Sequence, residues 1–269
     1  MRDLKFTKSV ATGNDFMIVD NRSNLIKNLP ALARKACDRK RSIGADGILV
    51  VENSKKCDFK MRVFNSDGSE AQMCGNGSRC VALYAVTKKI AKKDMTIDTL
   101  AGPIKVSVNG SLVKVMLTEP RDIRWNFCLM IHKCPYKLSF VNTGVPHVVH
   151  FVEDIEKVDV KNIGSHLRSH GEFAPEGTNA DFVQIAGKNS IKVRTYERGV
   201  EDETLACGTG SVAGALISAE AEGMTSPVTV HTQSGEKLKV YFRKIDGDFK
   251  NVYLEGYAKL VYEGVMRDV

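Results

Sequence analysis

No stretch of this sequence approaches the roughly 18 consecutive apolar residues of a membrane-spanning helix, so no membrane partner is expected. Met1 to Asp20 alternates charged with β-branched residues and holds no apolar signal core, so no targeting segment is read there. Prolines are few, 7 in 269 residues, and 43% of residues are hydrophobic, which excludes a disordered chain. Long basic runs are also missing. The formal charge is +7, but its densest stretch is Arg39-Lys40-Arg41, read as closing a helix over Leu29–Arg39. No basic stripe with interleaved aromatics exists, so no nucleic-acid partner is expected. There is no Cys-x-x-Cys and no His-Glu-x-x-His, and the six histidines are scattered, so no metal is expected. Gly208-x-Gly210 lacks the rest of a dinucleotide fingerprint, and no lysine stands out as a pyridoxal ligand. No cofactor is assigned. The cysteines number seven, an odd count without the spacing of a secreted disulfide scaffold, which fits a reducing, cytoplasmic setting.

What the sequence does contain is itself, twice. Thr12-Gly13 before Phe16 matches Thr143-Gly144 before His147, and Ala45-Asp46 matches Ala180-Asp181. Glu70 to Ser78, containing Cys74-Gly-Asn-Gly, matches Glu203 to Ser211, containing Cys207-Gly-Thr-Gly. Thr99-x-x-Gly102 answers to Thr232-x-x-Gly235, and Val115-x-Leu117 to Val252-x-Leu254. The five matches keep their order at offsets of 131, 135, 133, 133 and 137. The period is too long for a solenoid, so the reading is two similar domains. They span 1–118 and 119–261, with 262–269 returning to the first.

Each half is expected to fold alike. Lys5–Asp20 and Ser139–Val152 are β-rich and broken by a turn at Thr-Gly, and strands recur after each cysteine motif. Turns are read at Asn109-Gly110 and Asp246-Gly247. Small-residue, apolar helices follow at Ser78–Lys88 and Ser211–Glu222, the second apolar on nearly every face and so expected to be enclosed. The fold class is α+β: two pseudo-symmetric domains, each a mixed sheet or barrel-like roll wrapped around a central helix.

Each Cys-Gly-x-Gly-Ser unit lies where a loop enters the enclosed helix. Free N–H groups and the helix dipole there favour a carboxylate and lower the pKa of a nearby thiol. Cys37, Cys57, Cys80, Cys128 and Cys134 are read as core fillers. Cys74 and Cys207 differ because both halves keep the thiol beside the same glycines. Inverting a stereocentre needs a base on one face of the carbon and an acid on the other. Two like thiols facing each other across a two-domain cleft would supply that pair, exchanging roles with direction.

These residues carry a resemblance. Thr12-Gly-Asn-Asp-Phe16, Gly44-Ala-Asp-Gly47, Phe64-Asn-x-Asp-Gly68, Met73-Cys-Gly-Asn-Gly77, Val145-Pro-His147, Thr178-Asn-Ala180, Tyr196-Glu-Arg-Gly199 and Ala206-Cys-Gly-Thr-Gly210 resemble the motifs of diaminopimelate epimerases. The resemblance implies a pyridoxal-independent interconversion of LL- and meso-diaminopimelate by a homodimer, with Cys74 and Cys207 as acid and base. It implies that Gly75 with Asn76, and Gly208 with Thr209, hold the reacting amino-acid group. It also implies that Asn14, Asn65, Asn179, Glu197 and Arg198 contact the substrate, several at its distal end. Val145 stands where many members have Asn, at a position able to touch that end.

From the residues alone, Glu197 and Arg198 offer opposite charges to an ammonium and a carboxylate, with an ordinary strand-end ion pair as the alternative. Asn14 and Asn65 otherwise read as turn residues. His147 is either packing or support for the site. A racemase of another amino acid on the same scaffold would keep both thiols but relax the distal polar set. A non-catalytic binder needs no thiol on both faces, and a dithiol oxidoreductase normally keeps its cysteines close in sequence.

Overall fold

A computed structural model describes residues 3–267. The chain forms two units, Met1–Met116 with Gly256–Val269, and Leu117–Glu255. The first unit runs β1 (Leu4–Ala11), β2 (Asn14–Asp20), α1 (Leu29–Ala36), β3 (Gly47–Glu52), β4 (Phe59–Asn65), β5 (Glu70–Ala71), α2 (Gly75–Thr87), β6 (Asp94–Thr99), β7 (Gly102–Asn109) and β8 (Leu112–Met116). The second runs β9 (Arg121–Ile131), β10 (Cys134–Asn142), β11 (Pro146–Phe151), α3 (Val160–Arg168), β12 (Asn179–Gly187), β13 (Ser190–Glu197), β14 (Asp202–Thr204), α4 (Gly208–Glu222), β15 (Val228–Thr232), β16 (Lys237–Ile245) and β17 (Asp248–Tyr257). β18 (Lys259–Met266) then returns to the first unit.

The pairing in the two units is the same step for step. In the second, β9 pairs antiparallel with β10 and β10 with β11, while β11 runs parallel to β12. β12 pairs antiparallel with β13, which carries β14 on one end and runs parallel to β15. The first unit repeats this through β1, β2, β3, β4, β5 and β6, and β18 takes beside β1 the place β9 takes beside β10. Because β18 pairs with β1 from Lys259 onward, the return to the first unit begins at Gly256, ahead of the expected residue 262.

Burial explains the layers. Phe16–Val19 on β2 and Ile48–Val51 on β3 are buried without alternation, as parallel neighbours covered on both faces are. Met17, Val19, Ile48 and Val50 join Leu29, Leu32, Ala33 and Ala36 of α1 in one layer. α2 lies among β1, β2, β3, β4, β7, β8 and β18, so close to β3 that a Cβ on Gly77 would come 2.8 Å from Leu49 Cδ2. α4 is enclosed likewise by β10, β11, β12, β13, β15 and β16, and Gly210–Ser218 is buried throughout. α3 covers the outer face of the second unit in a layer with Val148, Ala180, Phe182 and Tyr196.

Three expectations are corrected here. α1 ends at Ala36, because the N–H groups of Gly44 and Ala45 take the carbonyls of Ala36 and Cys37 and turn the chain away. Arg39-Lys40-Arg41 therefore lies beyond the helix. The hairpin after β7 turns at Gly110-Ser111, one residue later than read, with Asn109 paired to Leu112. Cys37 and Cys80 are buried and Cys57 half-buried, but Cys128 and Cys134, on the β9–β10 hairpin, are exposed.

The contact between α3 and β13 gives a test. A Cβ on Gly164 would strike the Tyr196 side chain, with Cγ 2.8 Å away. Helix propensity alone favours Gly164→Ala by about 1 kcal/mol. Overpacking costs about 1–3 kcal/mol and acts on a ring anchored in a strand. Gly164→Ala is expected to lower the melting temperature, and an unchanged or raised one would contradict this packing.

Candidate active site

Each central helix begins with a cysteine as its N-cap. Cys74 has extended φ/ψ of −140° and 119° and its Sγ accepts the Gly77 N–H at 3.4 Å. Cys207 sits at −108° and 118° and accepts the Gly210 N–H at 3.4 Å. Behind each thiol a serine hydroxyl, Ser78 or Ser211, donates to the cysteine carbonyl at 2.8 Å. Gly210 cannot carry a Cβ, which would overlap Asp181 Oδ1. The helix ends are thus capped by sulfur, leaving other first-turn N–H groups free to meet an anion.

In the first unit a charged network stands behind Cys74. Asn14 Nδ2 donates to Asp46 Oδ2 at 2.6 Å, and Asn14 Oδ1 lies 4.0 Å from Cys74 Sγ. Arg39 grips Asp15 at 2.6 Å and Asp46 at 2.7 Å, while Lys8 pairs with Asp15 at 2.6 Å. Burial would raise the Asp15 carboxyl, but hydrogen bonds and charge from Arg39 and Lys8 outweigh it and hold it down at about 2. Asn76 is buried, and its Oδ1 accepts from the fully buried Arg79 at 2.5 Å. Arg79 also donates to the Thr12 hydroxyl at 2.6 Å and the Tyr257 carbonyl at 3.0 Å.

The second unit replaces this network with a smaller, drier one. His147 and Asp181 are both fully buried and joined from Nδ1 to Oδ2 at 2.7 Å, and Thr195 donates to Asp181 Oδ1 at 2.7 Å. His147 Nε2 is buried with no hydrogen-bond partner among the described residues. Cys207 has the Thr209 hydroxyl at 3.4 Å. Burial first, then the charges of Glu197 and Asp181, push the Cys207 thiol well above its ordinary value, against the hydrogen bonds from Thr209 and Gly210. Burial also raises Glu197, opposed by the Thr204 hydroxyl and His147 and reinforced by Asp181. The expectation that the helix start lowers this thiol is therefore corrected. The capping N–H acts in that direction, but desolvation and two carboxylates outweigh it.

The family profile described as diaminopimelate epimerase matches residues 6–123 and 139–261. A diaminopimelate epimerase of Aquifex aeolicus is 43% identical over 275 aligned residues, covering 97% of each chain. One from a Hydrogenobaculum species is also 43% identical, again over 97% of each. The chain belongs to the diaminopimelate epimerase family. Among solved structures, a Bacillus anthracis phenazine biosynthesis protein of the PhzF family covers 100% of both chains at a TM-score of 0.77, with 18% identity, which speaks to the fold alone.

Against the residues that membership in the diaminopimelate epimerase family implies, the first unit brings Asn14 to Cys74 and sets Gly75 and Asn76 in the first turn of α2. Asn65 stands apart at the exposed end of β4, its Nδ2 donating to the Ser69 hydroxyl at 2.9 Å within the turn. In the second unit Gly208 and Thr209 open α4 beside Cys207. Asn179 is buried, donating to the Pro146 carbonyl at 3.1 Å and accepting the Arg198 N–H at 2.8 Å. That ties the Val145-Pro146-His147 strand start to the loop bearing Arg198. Glu197 closes β13. The Arg198 guanidinium reaches Glu176, 3.2 Å from its carbonyl and 3.8 Å from its carboxylate. The strand-end ion pair with Glu197 is not formed; past the end of β13 the guanidinium turns to Glu176 instead.

Sequence reading missed the supports behind these residues. Arg79, Lys8 and Arg39 belong to no motif that repeats in the sequence. Asp46 and Asp181 were visible as one of the repeat matches. A second duplicated pair accompanies them: Arg62 forks onto Glu70 at 2.7 and 2.8 Å, and Arg194 onto Glu203 at 2.6 and 2.8 Å. Both forks clamp the short strand, β5 or β14, that leads into a cysteine loop.

The state of Cys207 is measurable. A raised thiol pKa means that thiolate accumulates only at higher pH, so its reaction with iodoacetamide in ligand-free protein should keep climbing past about pH 9, beyond a free thiol near 8.5. A rate at Cys207 that levels off below pH 8, read by peptide mass spectrometry, would contradict the burial argument.

Proposed function

We propose that this chain epimerises LL-diaminopimelate to meso-diaminopimelate without pyridoxal phosphate, with Cys74 and Cys207 as the two acid–base groups. One observation carries the reading: in a member of the diaminopimelate epimerase family, both repeats cap their enclosed helix with a cysteine sulfur. Neutral thiol in one half and thiolate in the other is the required resting pair. In this reading Cys207, whose burial and neighbouring carboxylates favour the protonated form, starts as the acid and Cys74 as the base.

Cys74 thiolate takes the α-proton, breaking C–H and forming S–H. The electron pair passes into the α-carboxylate, whose growing charge meets first-turn N–H groups of the helix starts. Cys207 gives its proton to the opposite face and becomes thiolate, held by the Gly210 N–H and the Thr209 hydroxyl. The reverse direction exchanges the roles. Asn14, Asn65, Asn179, Glu197 and Arg198 take the substrate's polar groups, Arg198 offering its planar fork to the distal carboxylate. The same reading includes a homodimer in the cytoplasm, in keeping with free cysteines at all seven positions. No helix of the described residues is long and apolar enough to cross a membrane.

Cys74→Ala and Cys207→Ala are each expected to lower epimerisation of LL-diaminopimelate by at least about a thousandfold, the scale of a lost acid–base group. Chiral chromatography of the product measures it. A near-normal rate in either folded variant overturns the two-thiol assignment.

A further inference from the structure

Asn14 has two ways to present its amide to Cys74, and the structure selects one. A carboxylate only accepts hydrogen bonds, so the 2.6 Å contact to Asp46 Oδ2 fixes the NH2 group there and turns Oδ1 toward the thiol, 4.0 Å away. Asp46 is itself held from three sides. Arg39 grips Oδ1 at 2.7 Å, the Asp15 N–H donates to Oδ2 at 3.0 Å, and the Asp46 N–H donates to the Asp15 carbonyl at 2.9 Å. The second repeat supplies an independent instance. Its matching Asp181 orients a different side chain, His147, at 2.7 Å, and lies against Gly210 of the Cys207 loop.

We propose that Asp46 is a positioning residue for the Cys74 half of the reaction, acting through Asn14. By holding the amide oxygen toward the sulfur, it presents Cys74 with an acceptor, which bonds S–H and does not bond S⁻. Proton affinity at the base rises accordingly, and the captured α-proton has a partner. Without Asp46 the amide turns over and presents NH2. A donor at that place favours thiolate, making Cys74 more often ionised and a weaker base. Asp46 touches neither the sulfur nor, in this reading, the substrate.

The turnover part of the proposal rests on the two-thiol reading, whereas the labelling part stands without it. Asp46→Asn keeps the shape and frees the Asn14 amide to rotate. Alkylation of Cys74 by iodoacetamide near neutral pH should become at least about fivefold faster, the factor that one ordinary hydrogen bond represents. Alkylation of Cys207 in the same sample should not change. Turnover of LL-diaminopimelate should fall by a similar factor in kcat more than in KM. The same substitution in an Asn14→Ala background should leave Cys74 labelling where Asn14→Ala puts it, since the residue that transmits the effect is gone. Asp46→Ala, with a thermal melt on each protein, serves if Asp46→Asn does not fold.

Faster Cys74 labelling that vanishes in the Asn14→Ala background supports the proposal even if the protein turns over some other amino acid. Unchanged Cys74 labelling in folded Asp46→Asn protein overturns it. So does a change that persists in the Asn14→Ala background, or one shared equally by Cys207.

Discussion

A backbone N–H pointing at a cysteine sulfur, three residues into an enclosed helix, is the contact on which each site depends. It caps the helix, so the thiol cannot leave without exposing an unsatisfied N–H. It also sets the sulfur beside the remaining first-turn donors, where a carboxylate is favoured. Ser78 and Ser211 repeat the arrangement from the far side by tying down the cysteine carbonyls.

The two sites nevertheless differ in how they treat a negative charge. Behind Cys74 lie Lys8 and Arg39, which neutralise Asp15 and Asp46. Behind Cys207 stand the carboxylates of Asp181 and Glu197, and burial together with their charges pushes the thiol upward. A duplicated frame with unlike linings is what a two-base inversion needs, since the two groups must hold different protonation states at the same pH. Matching places in the repeat also carry unlike residues, Asn14 against Val145 and Phe16 against His147.

Much of this was legible in the sequence because the repeat carried it. The Cys-Gly-x-Gly-Ser matches located both helix-capping cysteines, and the small-residue runs after them located the enclosed helices. What escaped was of two kinds. Helix and strand ends depended on tertiary partners, as Gly44 closing α1 shows. Supports such as Arg79 to Asn76, or Asp46 to Asn14, join residues far apart in the chain. Their types, buried charges and ordinary aspartates, give no local periodicity. The sign of the Cys207 shift was read wrongly for a similar reason. The helix dipole can be read from a sequence, whereas burial and the approach of Glu197 and Asp181 arise only on folding.

The central claim is that the proton returned to the α-carbon is not the one removed. Epimerisation of LL-diaminopimelate in deuterium oxide, stopped early and analysed by mass spectrometry, tests it directly. The account predicts that nearly every meso molecule formed carries one deuteron at the inverted carbon, while recovered LL substrate stays largely protiated. Product that keeps the original hydrogen would show one group serving both faces, and the paired-thiol account would be wrong.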